Sequence, residues 1–184
     1  MEKNTDVIKY IEYIFLISSS SEELFDAFDI AIKNKISDAE LYKILLANPY
    51  ISTDELALFT EKITSEFQHL SYEIYVWTAK ILEQKVSGLD YIERCVEYYQ
   101  KAVNSKPTES EPLINMIKLY NFDFSLPVNR TIIANVKQCI KSVEKKSVVY
   151  YELANLYKKM GNQDLNKEYL LLAEIAARGE NEQM

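Results

Sequence analysis

Glycine and proline, the residues that interrupt helices, are scarce: the chain has 184 residues but only 3 Gly and 4 Pro. An all-β protein needs more turns than so few of these residues favour. In the segments between these glycine and proline residues, apolar residues recur almost throughout at the spacing of one helical face. The pattern predicts about ten helices, and their short connections make neighbouring helices antiparallel. We therefore expect an all-α fold built from antiparallel helix pairs.

Charge is distributed unevenly along the chain. The formal net charge is -7, and residues 1–70 hold all of it because acids and bases balance in the remainder. An acidic surface repels a phosphate backbone and attracts basic segments. The distribution therefore argues against nucleic acid and favours a protein or peptide partner with a basic segment.

The N-terminal segment lacks the features of a membrane span or an export signal. Its longest apolar stretch, Tyr13 to Ile17, is too short to cross a bilayer, and the acidic residues Glu2, Asp6 and Glu12 are unlike a signal peptide. We therefore expect no membrane association and a cytoplasmic location.

The residues that carry catalysis or bind metals are few. Cys95 and Cys139 form no CxxC pair, and the single His69 does not complete a zinc site with them. The chain also has no glycine-rich phosphate loop and no GxSxG motif. We expect no cofactor, no metal and no enzymatic activity.

The C-terminal part of the chain resembles the tetratricopeptide repeat family. The clearest copy carries the family's aromatic, leucine, small-residue and Gly-Asn positions, namely Tyr150, Leu153, Ala154, Tyr157, Gly161, Asn162 and Ala173. Part of a second copy is visible in Cys95, Tyr99, Ala102 and Pro107. Ala102 and Ala173 are 71 residues apart, and Gly88 and Gly161 are 73 residues apart, close to two of the family's periods of about 34 residues. Asn166 departs from the family, which prefers alanine there.

The resemblance implies a right-handed α-solenoid whose stacked helix pairs leave a concave groove. It covers residues 71–178, where we expect tetratricopeptide-like repeats with Ala102 and Ala173 buried between helices. Residues 1–70 are either degenerate repeats or an unrelated helical cap. Residues 179–184 are expected to form a disordered tail.

The family's geometry also implies which residues face the groove. They lie on the seventh and ninth helices: Glu111, Ile114, Lys118, Val148, Tyr151, Asn155, Lys158 and Lys159. These residues are either a peptide site or ordinary solvent-facing surface. Lys118, Lys158 and Lys159 are expected to make this end of the groove positive.

The resemblance implies a non-catalytic module that binds a protein segment in the groove. The alternative is a structural protein that self-associates as a homo-oligomer and takes no peptide. Lys137, Lys141 and Lys145 recur every four residues on the eighth helix. This basic stripe is either a solvent-facing surface or a contact with the acidic half of a second copy.

Overall fold

The structure is a computed structural model that describes residues 2–85, 89–122 and 127–182, with the side chains of residues 2–5 and 89–90 left undescribed. Within these ranges every regular element is a helix, so the all-α prediction is confirmed. The helices are α1 Glu2–Ile17, α2 Ser21–Lys33, α3 Ala39–Ala47, α4 Thr53–Glu66, α5 Ser71–Lys85, α6 Leu89–Ser105, α7 Glu111–Lys118, α8 Pro127–Cys139, α9 Lys146–Lys159 and α10 Gln163–Asn181. Gly88, part of the repeat spacing, lies outside the described residues.

The chain divides into two compact units, residues 1–85 and 86–184. This division lies after α5, whereas the sequence suggested a boundary at residue 70. Helix α5 belongs with the first unit because it packs against both α3 and α4. Two polar contacts join them: the Trp77 indole donates to the Lys43 carbonyl at 3.0 Å in a partly buried setting, and the buried Thr60 and Thr78 hydroxyls lie 2.8 Å apart.

Aromatic side chains form the core of the first unit. The Phe59 ring lies 4.7 Å from Phe25 and 4.8 Å from Phe28, and Tyr42 connects Phe28 to Phe67. Burial raises the pKa of the Tyr42 phenol, as do the nearby carboxylates of Asp38 and Glu66. The phenol donates to the Ile36 carbonyl at 2.6 Å, so its polar end is satisfied.

Side chains cap three helices of the first unit, α2, α3 and α4, at their N-termini. At the start of α2, the Ser20 side chain accepts a hydrogen bond from the Glu23 amide, and Ser21 is the first helical residue. Asp38 caps α3, and Ser52 forms a reciprocal capping box with Glu55 at the start of α4. Each cap satisfies amides that have no partner inside their own helix.

The second unit is organised around α7, which packs against α6, α8 and α9, and around the long α9–α10 pair. Gly161 forms the turn between α9 and α10 with a φ of 75°, a conformation that glycine adopts without steric cost. Ala102 and Ala173 are both buried, as predicted. Asn166 is buried as well, and its amide donates to the Ala154 carbonyl at 2.9 Å across the pair.

The predicted disordered tail is wrong for residues 179–181, which continue α10. The Glu180 carboxylate anchors this last turn by accepting hydrogen bonds from the Ser147 amide at 2.9 Å and the Ser147 hydroxyl at 2.5 Å. Gly179 therefore stays helical although glycine weakens helices. Residues 183 and 184 lie outside the described residues.

Candidate functional site

The predicted groove residues lie on α7 and α9, two helices that pack against each other. Three of them, Ile114, Val148 and Tyr151, line one cleft together. The side chains of Val148 and Tyr151 are 40% and 54% exposed, so much of their apolar surface is open to a ligand. The two helices thus present a joint apolar surface at this point.

The cleft has a volume of about 450 Å³ and lies between α7, α9 and α10. We name it the acidic cleft, and its lining residues are Ile114, Ser147, Val148, Tyr151, Glu152, Leu170, Ala173, Glu174 and Ala177. Most of this lining is apolar, with a few polar groups at its edge, as in sites that bind side chains. Ser147 is held in place by its two hydrogen bonds to Glu180. The cleft can therefore accept an apolar side chain against a fixed rim.

Two carboxylates, Glu152 on α9 and Glu174 on α10, give the cleft its charge. Neither forms a salt bridge with another described residue, and no described lysine or arginine lines the cleft. Two carboxylates at the edge of an apolar surface favour a cationic group beside apolar side chains. The cleft thus suits a lysine or arginine of a ligand.

The remaining predicted groove residues do not line this cleft. Glu111 and Asn155 are half-buried, and Lys118, Lys158 and Lys159 are exposed. Lys158 and Lys159 lie in the last turn of α9, whereas Glu152 is about two turns earlier, roughly 10 Å along the helix. The expected positive charge is therefore absent from the cleft lining, which is acidic.

Sequence reasoning missed the contribution of α10, which supplies Leu170, Ala173, Glu174 and Ala177. The family's geometry assigns the groove to the first helix of each pair, so the second helix was not considered. Their spacing in the sequence could have indicated this contribution, because these four residues lie on a single face of α10. That face also contains the alanine expected at the contact with α9.

A second cleft, which we name the basic cleft, lies between α8 and the C-terminal half of α9. It has a volume of about 410 Å³ and is lined by Tyr120, Asn129, Arg130, Ile133, Ala134, Tyr157 and Met160. None of these described lining residues is acidic. Val148 and Tyr157 are nine residues apart, and at about 100° per residue they lie on opposite sides of α9. The acidic and basic clefts are therefore separate surfaces.

The first unit has a cleft of about 360 Å³ lined by residues of α1, α3 and α5 and by Asn48 and Pro49, which follow α3. Its cation, Lys43, is bound by the carboxylates of Glu40 and Glu73, and the ammonium lies 5.8 Å from the Trp77 ring. Partial burial by itself would lower the pKa of Lys43, but its hydrogen bonds to the two carboxylates raise it overall. Since Lys43 is already paired, this cleft has less to offer a charged ligand.

Two further findings concern the described residues only. None of the described helices combines the length and the hydropathy needed to span a membrane. Among the same residues, no group of three or more His, Cys, Asp or Glu side chains is arranged to hold a metal ion.

No protein-family model matches the chain, and no curated protein matches it. The tetratricopeptide resemblance therefore stays a prediction, and the geometry of the clefts is the basis for a functional assignment.

Proposed function

We propose that this chain is a non-catalytic, tetratricopeptide-like interaction module that binds a segment of a protein partner in the acidic cleft, within the cytoplasm. The observation that carries the proposal is the pair of carboxylates, Glu152 and Glu174, beside the exposed apolar surfaces of Val148 and Tyr151. A contiguous exposed apolar surface flanked by polar groups is a common mark of a protein-binding site. The ligand's segment therefore combines apolar side chains with a lysine or arginine.

The energetic roles of the two parts differ. Removing apolar surface from water supplies the affinity, at about 25 cal/mol per Å². The carboxylates speed encounter and orient the segment, and salt screens them over about 8 Å at physiological ionic strength. We therefore expect binding to weaken as salt rises without being abolished.

A random-peptide phage library selected on the immobilised full chain tests this proposal. We expect enriched peptides to place lysine or arginine beside aliphatic or aromatic residues. Ala177 is half-buried at the cleft wall, so Ala177→Leu should fill the cleft and weaken these peptides by about tenfold, equivalent to 1.4 kcal/mol. The double variant Glu152→Gln/Glu174→Gln should remove the preference for basic residues.

Glu168→Gln is the matched control, because Glu168 is an exposed acid of α10 that does not line the cleft. It should leave peptide affinity unchanged. A loss in Glu168→Gln half as large, in free energy, as the loss in the double variant would show that net charge alone attracts the peptides, because the control removes one charge and the double variant removes two. Unchanged binding in Ala177→Leu would show that the segment lies elsewhere.

Self-association is the second candidate, supported by the outer face of α1. There Tyr10, Tyr13, Leu16 and Ile17 are each more than half exposed. A helix that is apolar on its outer as well as its inner face is normally covered. Size-exclusion chromatography with light scattering tests this: a concentration-dependent dimer that Tyr13→Ser/Ile17→Ser dissociates would support it, and a strict monomer would exclude it.

A further inference from the structure

Two cations of α8, Arg130 and Lys137, lie at or next to the basic cleft. Arg130, Ala134 and Lys137 are four and three residues apart, so they follow one another on a single face of the helix. Arg130 and Ala134 line the cleft directly. Lys137 continues the row, and its ammonium lies 5.8 Å from the Tyr157 ring, which also lines the cleft.

Two tyrosines hold Lys137 in position. The Tyr157 and Tyr169 rings are stacked, with centroids 5.3 Å apart, and the Lys137 ammonium lies 5.9 Å from the second ring. Partial burial would lower the pKa of Lys137, but hydrogen bonds and charge interactions with Tyr157 and Tyr169 raise it overall. The nearby Glu168 carboxylate acts on Tyr169, whose pKa its charge helps to raise. Lys137 therefore remains a cation next to an aromatic surface.

Arg130 is exposed and pairs with no other described residue. Its neighbour Asn129 is already engaged: the side-chain amide donates to the Asn121 carbonyl at 2.7 Å, and its oxygen accepts the Asn121 amide at 3.1 Å. An arginine has five donors in a planar fork that matches a carboxylate. The guanidinium is thus the open charged group among the described residues that line this cleft.

The rest of the lining is apolar or aromatic. Tyr120, Ile133, Tyr157 and Met160 supply this surface beside Arg130. A simple anion would bind the Arg130 guanidinium but leave this apolar surface exposed to solvent. A purely apolar ligand would leave the guanidinium without a partner. The ligand that uses both is a carboxylate next to an apolar or aromatic side chain.

We infer that the basic cleft is a second binding surface, which takes an aspartate or glutamate of a protein partner on Arg130 and places that partner's adjacent apolar side chain against Tyr120, Tyr157 and Met160. Charge complementarity selects this occupant, because no described acidic residue lines the cleft. The surface lies on the opposite side of α9 from the acidic cleft. It does not depend on the function proposed there, and a partner with both basic and acidic segments could use both surfaces.

The same phage library on the full chain provides the test, with peptides grouped by their charge. We expect a second enriched group that places Asp or Glu beside an aromatic or aliphatic residue. Arg130→Gln should weaken this group by about tenfold, the loss expected for one charge-assisted hydrogen-bonded contact. Arg130→Lys, which keeps the charge without the fork, should fall between wild type and Arg130→Gln.

Lys141→Gln is the matched control, since Lys141 is an exposed base that follows the end of α8 and does not line the cleft. It should leave the acidic peptides bound, as should Ala177→Leu, which fills only the other cleft. Equal weakening by Arg130→Gln and Lys141→Gln would overturn the inference in favour of diffuse attraction. A selection that enriches no acidic peptides would also overturn this inference. If Ala177→Leu weakens the binding of the basic peptides only, that result concerns the function proposed for the acidic cleft and not the basic cleft. An unchanged thermal unfolding curve for Arg130→Gln verifies that the fold is intact.

Discussion

In each unit, one end of a helix is capped by a side chain that lies 33 residues away in the sequence from the backbone group it binds. In the first unit the Asn48 amide donates to the carbonyl of Phe15 at 2.9 Å, near the C-terminus of α1, and also to the Ser18 carbonyl just beyond it. In the second unit the Glu180 carboxylate accepts from the amide and hydroxyl of Ser147 in the first turn of α9. The first cap donates and the second accepts, because a helix has unpaired carbonyls at its C-terminus and unpaired amides at its N-terminus.

The two capping side chains differ in how deeply they are buried. Asn48 is 3% exposed, whereas Glu180 is only half-buried. When a buried cap is removed, water does not readily replace it, so the carbonyls are left without partners. At the more open site, water can take the place of the carboxylate. The type of helix end thus decides which group can cap it, and burial decides how much the cap contributes to the free energy of unfolding.

Asn48→Ala is expected to have the largest effect. It removes three hydrogen bonds, since the Asn48 oxygen also accepts the Tyr50 amide at 2.9 Å. We expect the free energy of unfolding to fall by about 2–4 kcal/mol, the cost of leaving buried carbonyls unsatisfied. Chemical denaturation measures this, with Asn34→Ala as control, because Asn34 bonds to the Ile30 carbonyl in an exposed setting. Equal losses in the two variants would contradict the role of burial.

Glu180 should have a smaller effect that depends on pH. Burial by itself would raise the pKa of Glu180, but hydrogen bonds from Ser147 lower it overall from its ordinary value of 4.5. A lowered pKa means that the contribution is complete above pH 4.5 and is lost as pH falls through the folded-state value. Glu180→Ala should destabilise by about 1 kcal/mol at neutral pH, as expected for a lost N-terminal cap.

The measurement is the free energy of unfolding of wild type and Glu180→Ala from pH 7 down to pH 3. The difference between the two proteins should shrink as the solution becomes more acidic. Glu182→Gln serves as control, since Glu182 is an exposed acid just beyond the same helix. A difference that stays constant with pH would show that Glu180 acts through packing and not through its charge.

Asn166→Ala should have the smallest effect, although Asn166 is buried like Asn48. Its acceptor, the Ala154 carbonyl, lies inside α9, where the helix itself supplies an amide four residues later. Alanine also favours the helix by roughly 0.5 kcal/mol. We expect a change within about 1 kcal/mol of zero by chemical denaturation. A loss as large as that of Asn48→Ala would show that orphaned carbonyls are not what decides these effects.

The helices could be located from sequence because their signals are local. The turn at Gly161-Asn162, for example, follows from residues next to it in the chain. Asn48-Pro49 likewise marks the end of α3. That Asn48 also caps the C-terminus of α1 could not be predicted, because no residue near Asn48 in the chain identifies the Phe15 carbonyl as its acceptor. The same limit applies to α5, whose unit is decided by contacts with α3 and α4.

The candidate site was predictable in part for the same reason. Ile114, Val148 and Tyr151 share the faces that the family's geometry assigns to a groove, and they do lie together. The charge of the site was not predictable, because Lys158 and Lys159 are close to the cleft in sequence but about two turns away along α9. Glu174 is more distant in sequence and lies in the cleft, because α10 folds back on α9.

The order of residues along the chain is enough to predict that the protein is helical and which faces of α7 and α9 are apolar. Helical periodicity and capping act over a few residues, so the order of the residues contains that information. Only the tertiary structure decided that Glu152 and Glu174 make one cleft acidic and that Arg130 is the open charge of the other. Those properties arise where helices distant in sequence meet, and a single change of packing partner would reassign them.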